Sequence, residues 1–192
     1  MKVIPAIEMK KLLDLHAKWL KDRSNGTWRL KLVGYNLFSH KFEDADLCEA
    51  DFSGSVLTKA SFLRSNLTGA LFSDCECTEA NFSETNLTST LFIKSHLKMA
   101  SLREAIARSA DFSQADLTLA VLSFSDFEGA DFYRSNLEKT IVQQSSFIDA
   151  NFTEANLVEA DFSRSNLTGA DLTHAKTNRA KFTQADLTGV KK

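Results

Sequence analysis

From Leu32 to Leu187 every fifth residue is, with few exceptions, large and apolar, and the phase never slips. A period of five belongs neither to the α-helix, which repeats about every 3.6 residues, nor to the strand, which alternates about every 2. Of these thirty-two central sites, all but Cys77, Ala107, Val142 and Thr177 hold Leu or Phe, and thirteen of the fifteen Phe stand there. Two residues before each site, from Ala45 to Ala185, all twenty-nine positions hold Ala, Ser, Thr or Cys. Large and small inward positions thus alternate, with Asp or Asn commonly between them, as in Ala45-Asp46-Leu47 and Ala80-Asn81-Phe82. Six of the seven Gly fall two residues after a central site, where a type II turn wants positive φ. Each unit reads as a very short strand followed by a turn.

Residues twenty apart repeat in kind: Phe52, Phe72, Phe92, Phe112, Phe132 and Phe152 form one unbroken column, the expected structural core. Segment 64–70 recurs at 164–170, an offset of five times twenty. Four units per coil follow, giving seven to eight coils and a rod about 35 to 40 Å long at about 4.8 Å per stacked strand. The A(D/N)LxX pattern resembles the pentapeptide-repeat family over about four-fifths of the chain. That resemblance implies an all-β solenoid, a right-handed quadrilateral β-helix.

The first thirty residues differ. Ile7, Leu12, Leu13, Leu15, Trp19 and Leu20 fall near helical spacing, with Lys10, Lys11, Lys18 and Lys21 on the other side, so an amphipathic helix is expected to end around Arg23 to Gly26 at the Asn25-Gly26 turn signal. A solenoid exposes an apolar cross-section and unpaired edges at its ends, so this helix reads as a cap. The predicted organisation is a helical cap over residues 1–27 and a β-helix over 28–192. The cap also resembles the LxxxHxxWL leader of many bacterial family members, through Leu12, His16, Trp19 and Leu20. Beyond Leu187 only five residues follow, so the last coil reads as uncapped. A homodimer through the Phe182 and Leu187 layers is expected, as several family members form.

Composition bounds the function. With one Pro, 43% hydrophobic and 25% charged residues, the chain describes one soluble domain, with no membrane-spanning run or secretion signal; a cytoplasmic location is expected. Cys75 and Cys77 are inward and Cys48 outward, neither a disulfide framework nor a metal spacing. His16, His40, His96 and His174 lie on different parts of the repeat, and no HExxH, GxSxG or phosphate loop occurs. No enzyme activity and no cofactor are expected, and without an aromatic and basic groove no direct nucleic-acid binding.

What remains is the surface. Residues 1–41 carry nine basic and three acidic residues, and residues 42–192 carry fourteen and twenty-two. Between 110 and 161 the acids Asp111, Asp116, Asp126, Glu128, Asp131, Glu138, Asp149, Glu154, Glu159 and Asp161 face only Arg134 and Lys139. Offsets of twenty pair Lys59 with Glu79, Arg108 with Glu128, and Lys139 with Glu159 and Arg179, leaving Asp111, Asp116, Asp126, Asp131 and Asp149 without opposite charge. The acids spread over three sides of the square; the fourth holds Val121, Phe124 and Ile141, a candidate contact patch. A second outward group, Leu71, Leu91 and Ile93, is a possible seat for the N-terminal region. Residues 102–108 are helix-favouring, and Ala107 should leave a local void.

The primary functional reading is a non-enzymatic scaffold that presents flat faces to a protein partner. The resemblance implies an alternative, because some family members mimic duplex DNA to protect or inhibit DNA gyrase or a related type II topoisomerase. This chain departs from the resistance proteins in having no projecting loops, no C-terminal helix and an added N-terminal helix.

Overall fold

The computed structural model describes residues 2–24 and 26–192, with Asn25 of the expected turn lying outside them. Parallel bridges join residues twenty apart without a slip from Lys31–Asp51 to Asp171–Lys191. The result is a right-handed quadrilateral β-helix of about eight coils behind one helix, α1 (Ala6–Lys21).

The pentapeptide satisfies its backbone donors one by one, as residues 65–69 illustrate. Ser65 N–H closes the preceding turn onto Phe62 O (3.0 Å), and Asn66 N–H donates to Ala45 O on the coil below (2.9 Å). Leu67 and Gly69 N–H donate upward to Asn86 O (2.8 Å) and Thr88 O (2.9 Å). The fifth donor, Thr68 N–H, has no backbone acceptor and is taken by Asn66 Oδ1 (3.2 Å). This explains the Asp or Asn of the repeat: all seventeen such residues before a central site accept the N–H two positions on. What Asp and Asn share there is a carbonyl or carboxylate oxygen, so the turn bond does not depend on a charge.

Every turn from Gly34 to Gly189 places positive φ at its third residue, between 53° and 72°, at six Gly and twenty-six other residues. That conformation costs an L-residue roughly 1 kcal/mol, which the ladder bond from its own N–H and the turn bond from the next residue's N–H offset.

Inside, the central side chains from Leu32 to Leu172 are all buried. The Phe52-to-Phe152 column is a stack of rings 4.9 to 5.0 Å apart. Phe62 and Phe82 stack beside it and meet it edge-on. Buried hydroxyls at the small sites are satisfied too: Ser65 Oγ donates to Phe62 O and Ser125 Oγ to Leu102 O, both within 2.7 Å. Around Ala107 the ladder keeps its register, Asn86–Ile106–Asp126, and Phe127 reaches Phe112 edge-on at 5.9 Å. Tertiary pairing overrides the helical propensity of residues 102–108.

The N-terminal end departs from expectation in three ways. The helix stops at Lys21, earlier than the turn signal suggested. Its buried face is Met9, His16 and Trp19 with Leu12 and Leu13 partly covered, whereas Ile7 is 88% exposed. Ile7 lies about two residues of helical rotation from Met9, hence on the opposite side. Residues 2–4 do not dock on Leu71, Leu91 and Ile93: Lys2 bridges Tyr35, and Asn36 N–H donates to Lys2 O (2.7 Å) as Val56 N–H does to Tyr35 O. Lys2-Val3-Ile4 therefore forms an extra rung, with Ile4 buried in the same core as Leu37.

Candidate functional site

With its interior filled, the rod's chemistry lies on two ends and four sides. At the capped end His16 Nδ1 accepts the N–H of Leu30 (3.0 Å), which fixes the tautomer, and burial lowers the imidazole pKa. The Arg23 guanidinium lies over Trp19 at 4.9 Å and pairs with Glu49, tying the segment after α1 to the first coil.

At the other end, none of the described residues covers the last coil. Phe182 stacks on Phe162 at 5.5 Å but is only half-buried, and Leu187 is 37% exposed. A depression of about 240 Å³ runs between Leu172, Ala175, Thr177, Phe182, Leu187 and Val190. Among the described residues, the N–H groups of Thr177, Arg179, Phe182, Gln184, Leu187 and Gly189 reach no backbone acceptor.

The acidic sides are less free than their sequence suggests. Asp126, expected to stand without opposite charge, accepts Arg108 Nε at 2.7 Å across an offset of eighteen; Arg108 also reaches Glu128 at 3.4 Å. Asp116 accepts Thr118 N–H (3.0 Å) and Asn136 Nδ2 (3.3 Å), and Asp131 accepts Tyr133 N–H (2.8 Å) and Asn151 Nδ2 (2.9 Å). Asp111 accepts Ser113 N–H (2.8 Å). Glu154 is lowered in pKa by its bond from Arg134, 2.7 Å away. At Asp161 burial works upward, but bonds from Ser163 and Gln143 prevail and its pKa is lowered. Of the expected ladders, Lys59–Glu79 and Arg179–Glu159 form at 3.5 and 3.4 Å, while Lys139 turns to Glu138 at 3.2 Å in place of Glu159. Asp149 is exposed.

On the fourth side Val121 and Ile141 are bridged neighbours, with Ile141 45% exposed. Both stand where the repeat commonly has Asp or Asn, so each replaces a turn acceptor by an outward apolar group. Phe124 is also exposed, in the left-handed region at φ 64°, with the Arg103 guanidinium 4.6 Å over its ring. Sequence reasoning missed further exposed apolar residues: Met99 and Leu119, twenty apart, Ile106, and Val33 and Phe38 on the first coil. The signal was available, since Met99 and Leu119 are twenty apart.

The four histidines land apart: His16 under the cap, His40 beside Phe42, His96 at Glu76 (2.8 Å), and His174 at the open end. No cluster of three or more His, Cys, Asp or Glu among the described residues is placed to hold a metal. No helix among them is long and apolar enough to cross a membrane.

Comparison with known proteins agrees with this architecture. The family model of pentapeptide repeats matches residues 41–74, 70–106, 95–132, 130–169 and 165–191. Among solved structures, HetL, a pentapeptide repeat protein involved in heterocyst differentiation regulation in Nostoc sp. strain PCC 7120, is 22% identical. That alignment covers 85% of this chain and 87% of HetL, with a TM-score of 0.40. A trypsin-treated variant of QnrB1, a plasmid-mediated fluoroquinolone resistance protein, is also 22% identical, over 84% of this chain and 89% of that one, with a TM-score of 0.53. A thylakoid-lumen pentapeptide repeat protein of Arabidopsis thaliana is 29% identical over 64% of this chain and 68% of its own, with a TM-score of 0.37. No curated protein matches. At 22% identity and a TM-score of 0.53 the QnrB1 likeness speaks to the fold alone.

Proposed function

The chain belongs to the pentapeptide-repeat family, and from that premise we propose that it is a non-enzymatic interaction scaffold. It joins a second copy through the open C-terminal coil and offers its sides to a protein partner. The observation that carries this reading is the contrast between interior and periphery. Central side chains are buried without a break from Leu32 to Leu172, so recognition has only the surface to work with, and the surface is uneven in charge and apolarity.

The open coil presents half-covered apolar side chains beside unpaired N–H groups. A second identical end can cover both at once around a two-fold axis. Light scattering tests this: Leu187→Asp should halve the mass of the native particle. A native protein of 21.4 kDa at tens of micromolar would remove the dimer.

A second reading, protection or inhibition of a type II topoisomerase, is favoured by the ten acids against two basic residues between 110 and 161. Much of that charge serves turns and ion pairs, which weakens its claim to be a DNA surrogate. Native protein at low salt should inhibit gyrase supercoiling if this reading holds. The triple variant Asp116→Asn, Asp126→Asn, Asp131→Asn, which preserves the turn acceptors, should lose that effect. Equal action by both proteins, or none by either, removes the reading. A cytoplasmic location accompanies both.

A further inference from the structure

We propose that the capped end of the rod docks on an anionic lipid surface, with the outward ridge of α1 facing the headgroups. At about 100° per residue, the buried Met9, His16 and Trp19 fix one face of α1 against the first coil. The ridge on the opposite face carries Ile7, Lys10, Lys11, Asp14, Lys18 and Lys21, and all six are exposed. Among the described residues none of these four lysines forms an ion pair. Lys2, Lys31 and Lys41 stand exposed around the same end.

Lysines alone would make a solvated surface; the apolar residues beside them give it an occupant. Among the described residues, the three most exposed large apolar side chains are Ile7 (88%), Val3 (73%) and Phe38 (54%), and all three belong to this end. The Lys2–Tyr35 bridge sets Val3, Ile4 and Pro5 one coil below Asn36, Leu37 and Phe38. Ile4 and Leu37 point inward and are buried, so Val3 and Phe38 project from the same side of the square. There α1 begins, at Ala6, with Ile7 as its second residue. An isoleucine so exposed adds almost no burial to the fold, and the fold does not require it.

Projecting apolar side chains suit a bilayer better than a folded partner. A protein would have to supply a pocket for each of them, whereas the headgroup region admits Val3, Ile7 and Phe38 wherever they stand, and long lysine stems reach the phosphates. Apolar insertion and lysine attraction together hold a protein on a bilayer where either alone is marginal. The acids of this end do not cancel the ridge. Asp14 is the single acid on it, Glu8 lies on the flank of α1, and Asp22 accepts Ser24 N–H. Glu43, Asp44, Asp46 and Glu49 lie on the lateral sides of the first coil, where Arg64 holds Asp44 and Arg23 holds Glu49. The C-terminal end is basic as well, but its apolar groups line a depression instead of projecting.

Vesicle sedimentation of the full chain tests this, with phosphatidylcholine alone and with equal parts phosphatidylcholine and phosphatidylglycerol. The native protein should pellet with the anionic vesicles at low salt, stay in solution with the neutral ones, and be released as salt rises. Lys10→Gln with Lys11→Gln, Lys18→Gln and Lys21→Gln should weaken binding at least about tenfold, and Ile7→Ser with Phe38→Ser about tenfold. Circular dichroism verifies that these exposed changes leave the fold intact. An environment-sensitive fluorophore on Ile7→Cys, with Cys48→Ser added, should shift to the blue on binding, and the same label on Leu119→Cys at mid-rod should not. Failure to bind anionic vesicles at low salt overturns the proposal, the outcome expected of a ridge that meets an acidic protein instead. Binding that either set of changes leaves untouched, or a blue shift at both labels, overturns it equally.

Discussion

Replacing Phe112 by Ala should cost about 4 to 5 kcal/mol, the upper part of the range for a buried aromatic. Its side chain is fully buried, with the rings of Phe92 and Phe132 each 5.0 Å away and Phe127 edge-on at 5.9 Å. The site cannot close over the void. Phe92 and Phe112 are anchored through N–H bonds of 2.7 Å to Asp111 O and Asp131 O, so the coils keep their spacing when a ring is removed. With about 5 to 15 kcal/mol typical of a folded domain, that loss should shift a urea midpoint strongly. Phe124→Ala supplies the control: the ring is 44% exposed, and its main partner is the Arg103 guanidinium, so about 1 kcal/mol or less is expected. If urea melts placed the two variants within 1 kcal/mol of each other, the stacking argument would be wrong.

The turn-acceptor argument predicts that Asp116→Asn changes stability by less than about 0.5 kcal/mol, while Asp116→Ala, which strands Thr118 N–H, costs about 1 to 2 kcal/mol in the same melts. Because burial lowers the pKa of His16 beneath the ordinary 6.5, its neutral form stabilises the cap above that pH, and the contribution is lost as pH falls toward the folded-state value. Trp fluorescence should therefore report loosening of the cap on acidification, and His16→Asn should flatten the response; an unchanged response would discount the Leu30-to-His16 bond.

The solenoid was legible because its evidence is cumulative: thirty-two central sites in one phase leave a single way to bury Phe52 through Phe152 together. The cap offered no such redundancy. In a short helix with apolar residues around much of its circumference, spacing alone does not choose between Ile7 and Met9. The rod end makes that choice by covering His16 and Trp19. Lys2 to Ile4 form an extra rung that no repeat announces. Side-chain reach blurred the charge ladders as well, since the long Arg108 finds Asp126 at an offset of eighteen, and Lys139 finds its sequence neighbour Glu138. Exposed apolar residues were legible only where they gather on one side, which is why Phe124 and Ile141 stood out and the corner residues Met99 and Leu119 did not.

Amide hydrogen exchange of the native protein at several concentrations tests the scaffold account most directly. The N–H groups of Thr177, Phe182 and Leu187 find no backbone acceptor among the described residues, so protection of these amides that depends on protein concentration reports a second chain. Protection of those amides that rises with concentration, and disappears in Leu187→Asp while the ladder from Leu32 to Leu172 stays protected, is the predicted result. Free exchange at the open end at every concentration, beside a protected body, would contradict it.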